Sequence, residues 1–151
     1  ANDNSNGQQV VSGKLDDISF LIEDLKKNNI KCIKLPVSAP FHCKLMNNAT
    51  QIMQNEIQKS DFKNPINILI SNVTNQEVKD SSLLKELLIK QIESRVRWRE
   101  NVNLMIEKGT KKFIEIGPGK VLSGLIKRID KNVIVNSINS EEDIKKININ
   151  D

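Results

Sequence analysis

Lys112-Phe113-Ile114-Glu115-Ile116-Gly117-Pro118-Gly119-Lys120-Val121-Leu122-Ser123-Gly124-Leu125-Ile126 changes its hydrophobic period part-way along. Up to Ile116 it is a short apolar run of the buried-strand kind. Gly117-Pro118-Gly119 punctuates it as a tight turn. From Lys120 to Ile129 the apolar residues Val121, Leu122, Leu125, Ile126 and Ile129 recur three and four apart, the spacing of one helix face. A second apolar run, Asn132 to Ile138, follows. Strand, turn, helix and strand thus follow one another here.

The same period extends outward. Upstream, Val102, Met105 and Ile106 mark a helix from Trp98 that ends at Gly109. Ser81 to about Ile92 reads as a helix, with Ser82 and Glu86 one residue out of step for a capping box. Pro65 opens a strand through Ser71, and Asn72 to Asp80 is a polar loop. Leu45, Met46, Ala49, Ile52, Met53 and Ile57 give another helix face. Near the start, Gln8 to Ser12 reads as a strand ending at Gly13. A helix from Lys14 to about Asn28 follows, with Leu15, Ile18, Ile22 and Leu25 on one face, and then a strand from Lys31 to Val37; strand, helix and strand in about 30 residues predict a compact α/β unit. Ala1 to Gly7 reads as a polar loop. Downstream, Ser140-Glu141-Glu142-Asp143 starts a closing helix, where carboxylates suit the positive N-terminal end.

The chain has 151 residues, 38% of them hydrophobic, enough to bury the core of one domain. Aromatic content is 3%, too little for a platform on which single-stranded nucleic acid stacks. The net charge of +4 is spread among interspersed acidic residues, so no concentrated nucleic-acid footprint is present. No apolar run approaches the roughly 20 residues needed to span a bilayer. Asn, Ile and Lys, residues of A/T-rich codons, are abundant.

The one histidine, His42, lies in Leu35-Pro36-Val37-Ser38-Ala39-Pro40-Phe41-His42-Cys43, between a strand-like run and a helical pattern. Imidazole titrates near neutral pH, so a stiff junction makes it a candidate positioned base. Cys32 and Cys43 form no C-x-x-C pair and have no second His, which argues against a metal site. They are read as free thiols, with a disulfide as the alternative. The Gly117 turn is not a phosphate loop, because Ile114 stands where the first Gly is required and Val121 where Ser or Thr should be. G-x-S-x-G is absent, so the chain offers a base without a visible nucleophile.

Three stretches in register carry a resemblance: Leu35-Pro36-Val37-Ser38-Ala39-Pro40-Phe41-His42-Cys43-x-Leu45-Met46, Gln91 through Val96-Arg97-Trp98, and Glu115 through Ile129. Together they resemble the C-terminal half of malonyl-CoA:acyl-carrier-protein transacylases, loading enzymes of bacterial-type fatty-acid synthesis. Asn4-Ser5-x-Gly7-Gln8-Gln9-Val10-Val11-Ser12-Gly13 is similar to a further segment of that family, with Asn6 where the family has Pro.

The resemblance implies the C-terminal part of an α/β-hydrolase-like acyltransferase core over 38–151. Residues 1–37 would be the later part of an inserted ferredoxin-like subdomain. It implies transfer of a malonyl group from malonyl-CoA, through a Ser ester, to the phosphopantetheine thiol of acyl carrier protein. His42 matches the general base, and Gln91 matches the residue whose backbone carbonyl orients it. Phe41 and Asn4 would contact substrate, Phe41 filling the space of an extra methyl. Lys127 and Arg128, in a late cluster of basic residues, are candidates for docking the acidic carrier. No bound cofactor, metal, nucleic acid or membrane is expected. The nucleophile elbow, the Arg for the malonyl carboxylate and the oxyanion loop are not in this chain. They would lie before Ala1, in a missing N-terminal half, so the chain alone is expected to be inactive. A non-catalytic carrier-binding module and a polyketide synthase acyltransferase domain are the competing readings. The compartment would be bacterial cytoplasm, or a plastid-type organelle in an A/T-rich eukaryote.

Overall fold

In the computed structural model, residues 1–147 are described. The chain runs through β1 (Asn2–Ser5), β2 (Gln8–Val10), α1 (Leu15–Lys27), a 3-10 turn (Lys44–Met46), α2 (Asn47–Lys59) and β3 (Leu69–Ile70). It continues through β4 (Glu77–Val78), α3 (Ser81–Gln91), α4 (Trp98–Glu107), β5 (Lys112–Ile116), α5 (Val121–Ile129), β6 (Ile134–Ile138) and α6 (Glu141–Lys146).

The unit that decides the fold forms as its period predicts. β5 and β6 pair in parallel, Lys112 opposite Ile134 through Ile116 opposite Ile138, with α5 as the crossover between them. Phe113 from β5, Ile126 from α5, Val102 from α4 and Val133 at the entry to β6 form one buried cluster. Trp98, Met105 and Ile106 of α4 pack against it, on the face that the sequence predicts.

The Gly117 turn has a physical account. Gly117 and Gly119 take φ of +136° and +94°, which side chains with a Cβ rarely adopt. The first amides of α5 are occupied from within. The Glu115 carboxylate accepts from Leu122 N at 3.0 Å and from Ser123 N at 2.8 Å. The N-terminal positive end of α5 thus already holds an anion, the side chain of the preceding strand. The Ser123 hydroxyl foremost, with these amides, holds the Glu115 carboxyl below the ordinary carboxylate value.

Several elements differ from the sequence expectation. Ala1 to Gly7 is not a polar loop: it carries β1, antiparallel to β2, with Asp3 opposite Gln9. What holds this strand is polar. Asp3 and Ser5 are buried, and Asp3 Oδ2 accepts from Arg99 Nη2 of α4 at 2.9 Å. The edge is tied by Val96 N donating to Ala1 O and Asp3 N donating to Val96 O. β1 therefore lies on α4 and α5. β2 stops at Val10, short of Ser12. Lys31 to Val37 alternates like a strand but pairs with none of the described residues, and Ile33 is 72% exposed. Alternation sets which face would be buried, but only a neighbouring strand satisfies the backbone, so the strand–helix–strand unit expected over residues 8–37 does not form and β2 pairs with β1 instead. The expected strand after Pro65 shrinks to β3, and β4 forms inside the expected loop, Leu69 opposite Val78. α3 is capped by Asp80, whose carboxylate accepts from Leu83 N at 2.8 Å, and Ser82 lies inside the helix. α6 begins with a capping box between Ser140 and Asp143.

Much apolar surface stays open. α1 and α2 bury no residue, and Phe20, Ile52 and Leu15 are exposed. Ile116 at the end of β5 is 79% exposed. The accessible area is 10924 Å². A compact monomer of 17.1 kDa is expected to show about 7,800 Å². The excess of about 3,000 Å² is of the size that partners bury in large permanent interfaces.

Candidate functional site

The His42 loop is built by local bonds between two prolines' worth of stiff backbone. Phe41 N donates to Ala39 O at 3.0 Å, and Cys43 Sγ donates to Pro40 O at 3.1 Å. Met46 N donates to Cys43 O and closes the 3-10 turn that leads into α2. Between these bonds His42 sits at φ +59°, in the left-handed region that is uncommon for any residue with a Cβ. Such a conformation costs of order 1–3 kcal/mol and persists only where neighbours over-determine it.

The ring is fixed from another element. His42 Nδ1 lies 3.1 Å from Gln91 O, 49 residues away. Gln91 is the last residue of α3, and the final carbonyls of a helix have no partner within it. A carbonyl oxygen only accepts, so Nδ1 carries a proton and donates it to this bond. Gln91's own amide donates to Ser94 O at 3.1 Å, which ties down the turn after α3. Glu93, two residues on, accepts from Asn47 Nδ2 at the head of α2. The result is a half-buried imidazole held from a distant element at one ring nitrogen.

The other candidate residues are placed as follows. Phe41 precedes His42 and is exposed. Asn4 lies on β1 between the buried Asp3 and Ser5, on the opposite face of the strand. The segment after its hairpin meets the His42 loop through Ser12 Oγ, which donates to Phe41 O at 2.7 Å. Lys127 and Arg128 lie in the last turn of α5. Lys127 Nζ donates to Val133 O at 2.6 Å and Lys131 O at 3.2 Å, and Arg128 Nη1 donates to Gln8 Oε1 at 2.5 Å. Cys32 and Cys43 are free thiols. Among the described residues no cluster of three or more His, Cys, Asp or Glu is placed to hold a metal. No helix of the described residues is long and apolar enough to cross a membrane. A hollow of about 310 Å³ lies beside Trp98 and Asn101, but neither His42 nor Gln91 lines it.

Sequence reasoning missed Ser12, the Asp3–Arg99 pair and the Glu115 cap. Each is a polar contact between elements, and no local periodicity announces it.

No family model matches the chain. Individual proteins do. It is 38% identical over 146 residues to the malonyl CoA-acyl carrier protein transacylase of Bacillus subtilis strain 168, covering 96% of this chain and 46% of that protein. This chain is a relative of the malonyl CoA-acyl carrier protein transacylases. The Staphylococcus aureus (strain MSSA476) transacylase is 39% identical, covering 100% of this chain and 49% of that protein. The acyl-carrier-protein-S-malonyltransferase structure from Bartonella henselae superposes with a TM-score of 0.92 at 37% identity, covering 97% of this chain and 47% of that one. A third relative by structure is a malonyl-transacylase in complex with its type II polyketide synthase acyl-carrier protein. It has a TM-score of 0.91 and 30% identity, over 97% of this chain and 48% of that one. The chain spans about half the length of the transacylases that it matches, and its mixed α/β fold is theirs over that span.

Proposed function

We propose that this chain is the C-terminal half of a malonyl-CoA:acyl-carrier-protein transacylase and supplies its general base, His42. The observation that carries the reading is the imidazole held at Nδ1 by Gln91 O, with Nε2 left to move a proton. A serine in the N-terminal half attacks the malonyl thioester, and Nε2 accepts the hydroxyl proton as the ester forms. The departing coenzyme A thiolate takes that proton back. The phosphopantetheine thiol of the carrier then gives its proton to Nε2 and attacks the ester, and the serine recovers its proton as it leaves. A backbone carbonyl, unlike a carboxylate, carries no charge to stabilise imidazolium. That suits a transfer between thioesters and an ester of similar energy.

Residues 38–151 are assigned to the hydrolase-like core and 1–37 to the later part of the ferredoxin-like insert. The Asp3–Arg99 ion pair spans that division. In this reading Phe41 and Asn4 contact the acyl group. Lys127 and Arg128 belong to the face offered to the acidic carrier, their charges anchored by internal bonds. The open apolar faces of α1 and α2, and the excess area, favour a permanent partner, and the N-terminal half is that partner.

Intact-mass spectrometry of the full-length protein after exposure to malonyl-CoA tests the reading. One malonyl group on a serine outside residues 1–151, removed by adding carrier protein, is expected. No covalent malonyl group would refute it and favour a non-catalytic carrier-binding module.

A further inference from the structure

We propose that Ser12 is a positioning residue for His42, acting through the Phe41 carbonyl; this rests on the proposed role of His42 as base. Ser12 stands two residues past β2 and 29 residues before Phe41, yet its hydroxyl donates to Phe41 O at 2.7 Å. That carbonyl belongs to the peptide that joins Phe41 to His42, so its direction is tied to the φ of His42. At +59° this φ is one that a histidine seldom adopts unaided. The other local bonds end short of this peptide: the Cys43 thiol reaches Pro40 O, and the Phe41 amide reaches Ala39 O. Among the described residues, the Ser12 hydroxyl is the group recorded as bonding the Phe41 carbonyl.

The imidazole is then located by two distant anchors. Gln91 O holds the ring, and Ser12 holds the backbone from which the ring springs. Both are needed, because the Gln91 bond leaves the ring free to swing about Nδ1 if the backbone relaxes toward negative φ. Small displacements of a proton-transfer group are costly, since near-attack geometry tolerates little error. Ser12 also couples the β1–β2 hairpin, which carries Asn4, to the base.

The test is steady-state kinetics on the full-length enzyme with Ser12→Ala and Ser12→Thr. Ser12→Ala is expected to lower kcat about tenfold, which corresponds to about 1.4 kcal/mol. KM for malonyl-CoA should stay within about twofold, because the hydroxyl acts through its bond to the Phe41 carbonyl. Ser12→Thr retains the donor and should restore kcat to within about threefold of the parent. A role through His42 also predicts non-additivity: adding Ser12→Ala to His42→Ala should cause no further loss. Unchanged kcat in Ser12→Ala would overturn the inference. So would a Thr variant as slow as the Ala variant, or a further tenfold loss in the His42→Ala background. If His42→Ala alone keeps parental turnover, the base assignment fails instead, and the two failures are thereby distinguished.

Discussion

Asp3 and Arg99 are 96 residues apart and form the ion pair that ties the N-terminal hairpin to α4. The Asp3 side chain is 4% exposed and that of Arg99 35%. Breaking a fully buried pair costs about 3–5 kcal/mol, because a charge is stranded, whereas an exposed pair is worth about 0–1 kcal/mol. With one partner buried and the other a third exposed, the loss should be about 2–3 kcal/mol. Arg99 keeps a second partner, Asn6 Oδ1 at 3.2 Å, but that residue is in the same hairpin and moves with it. Asp3→Asn and Arg99→Met preserve size and remove one charge each. Urea unfolding of both single variants and of the double variant, in the full-length protein, gives the coupling directly. A coupling of about 2 kcal/mol is expected, together with faster amide exchange in residues 1–10. A coupling below about 0.5 kcal/mol would refute the assignment of this pair as the anchor of β1.

Phe41→Ala should narrow the preference for malonyl over methylmalonyl thioester by about tenfold, since one methyl is worth about 1–3 kcal/mol; competition kinetics with both substrates decides it, and an unchanged ratio would place Phe41 outside the acyl site. Arg128→Glu should raise KM for carrier protein more at low salt than at high salt; a KM independent of salt would remove this face from docking. Glu115 has its carboxyl lowered from 4.5 in the folded state, so it contributes stability above about pH 4.5 that is lost as pH falls through the folded value. Glu115→Gln should therefore flatten the fall in urea midpoint between about pH 5 and pH 3; a parental slope would show that the cap is not linked to protonation.

The fold was most legible where the apolar residues of an element meet partners within this chain. Val102, Phe113, Ile126 and Val133 bury one another, so α4, β5, α5 and β6 follow their periods closely. Leu15, Ile18, Ile22 and Leu25 also announce α1, although its face is left uncovered. Lys31 to Val37 shows the opposite case, since its alternation is sound and a strand still needs a neighbour to bond. β1 was illegible because Asp3 and Ser5 face inward without any apolar signal. In the site, His42 stood out by its chemistry and its prolines, and Gln91 entered only through the family resemblance. A backbone carbonyl can be supplied by any residue type, so nothing in the side chain of Gln91 marks it. Ser12 escaped for a related reason: a single hydroxyl after a strand encodes no direction.

The central claim is that His42 moves the protons of malonyl transfer. Its most direct test is the rate at which the full-length enzyme with His42→Ala moves malonyl from coenzyme A to carrier protein. A loss of about 10²–10⁴ in kcat, with the fold retained by circular dichroism, is predicted. Turnover within a few-fold of the parent would contradict it.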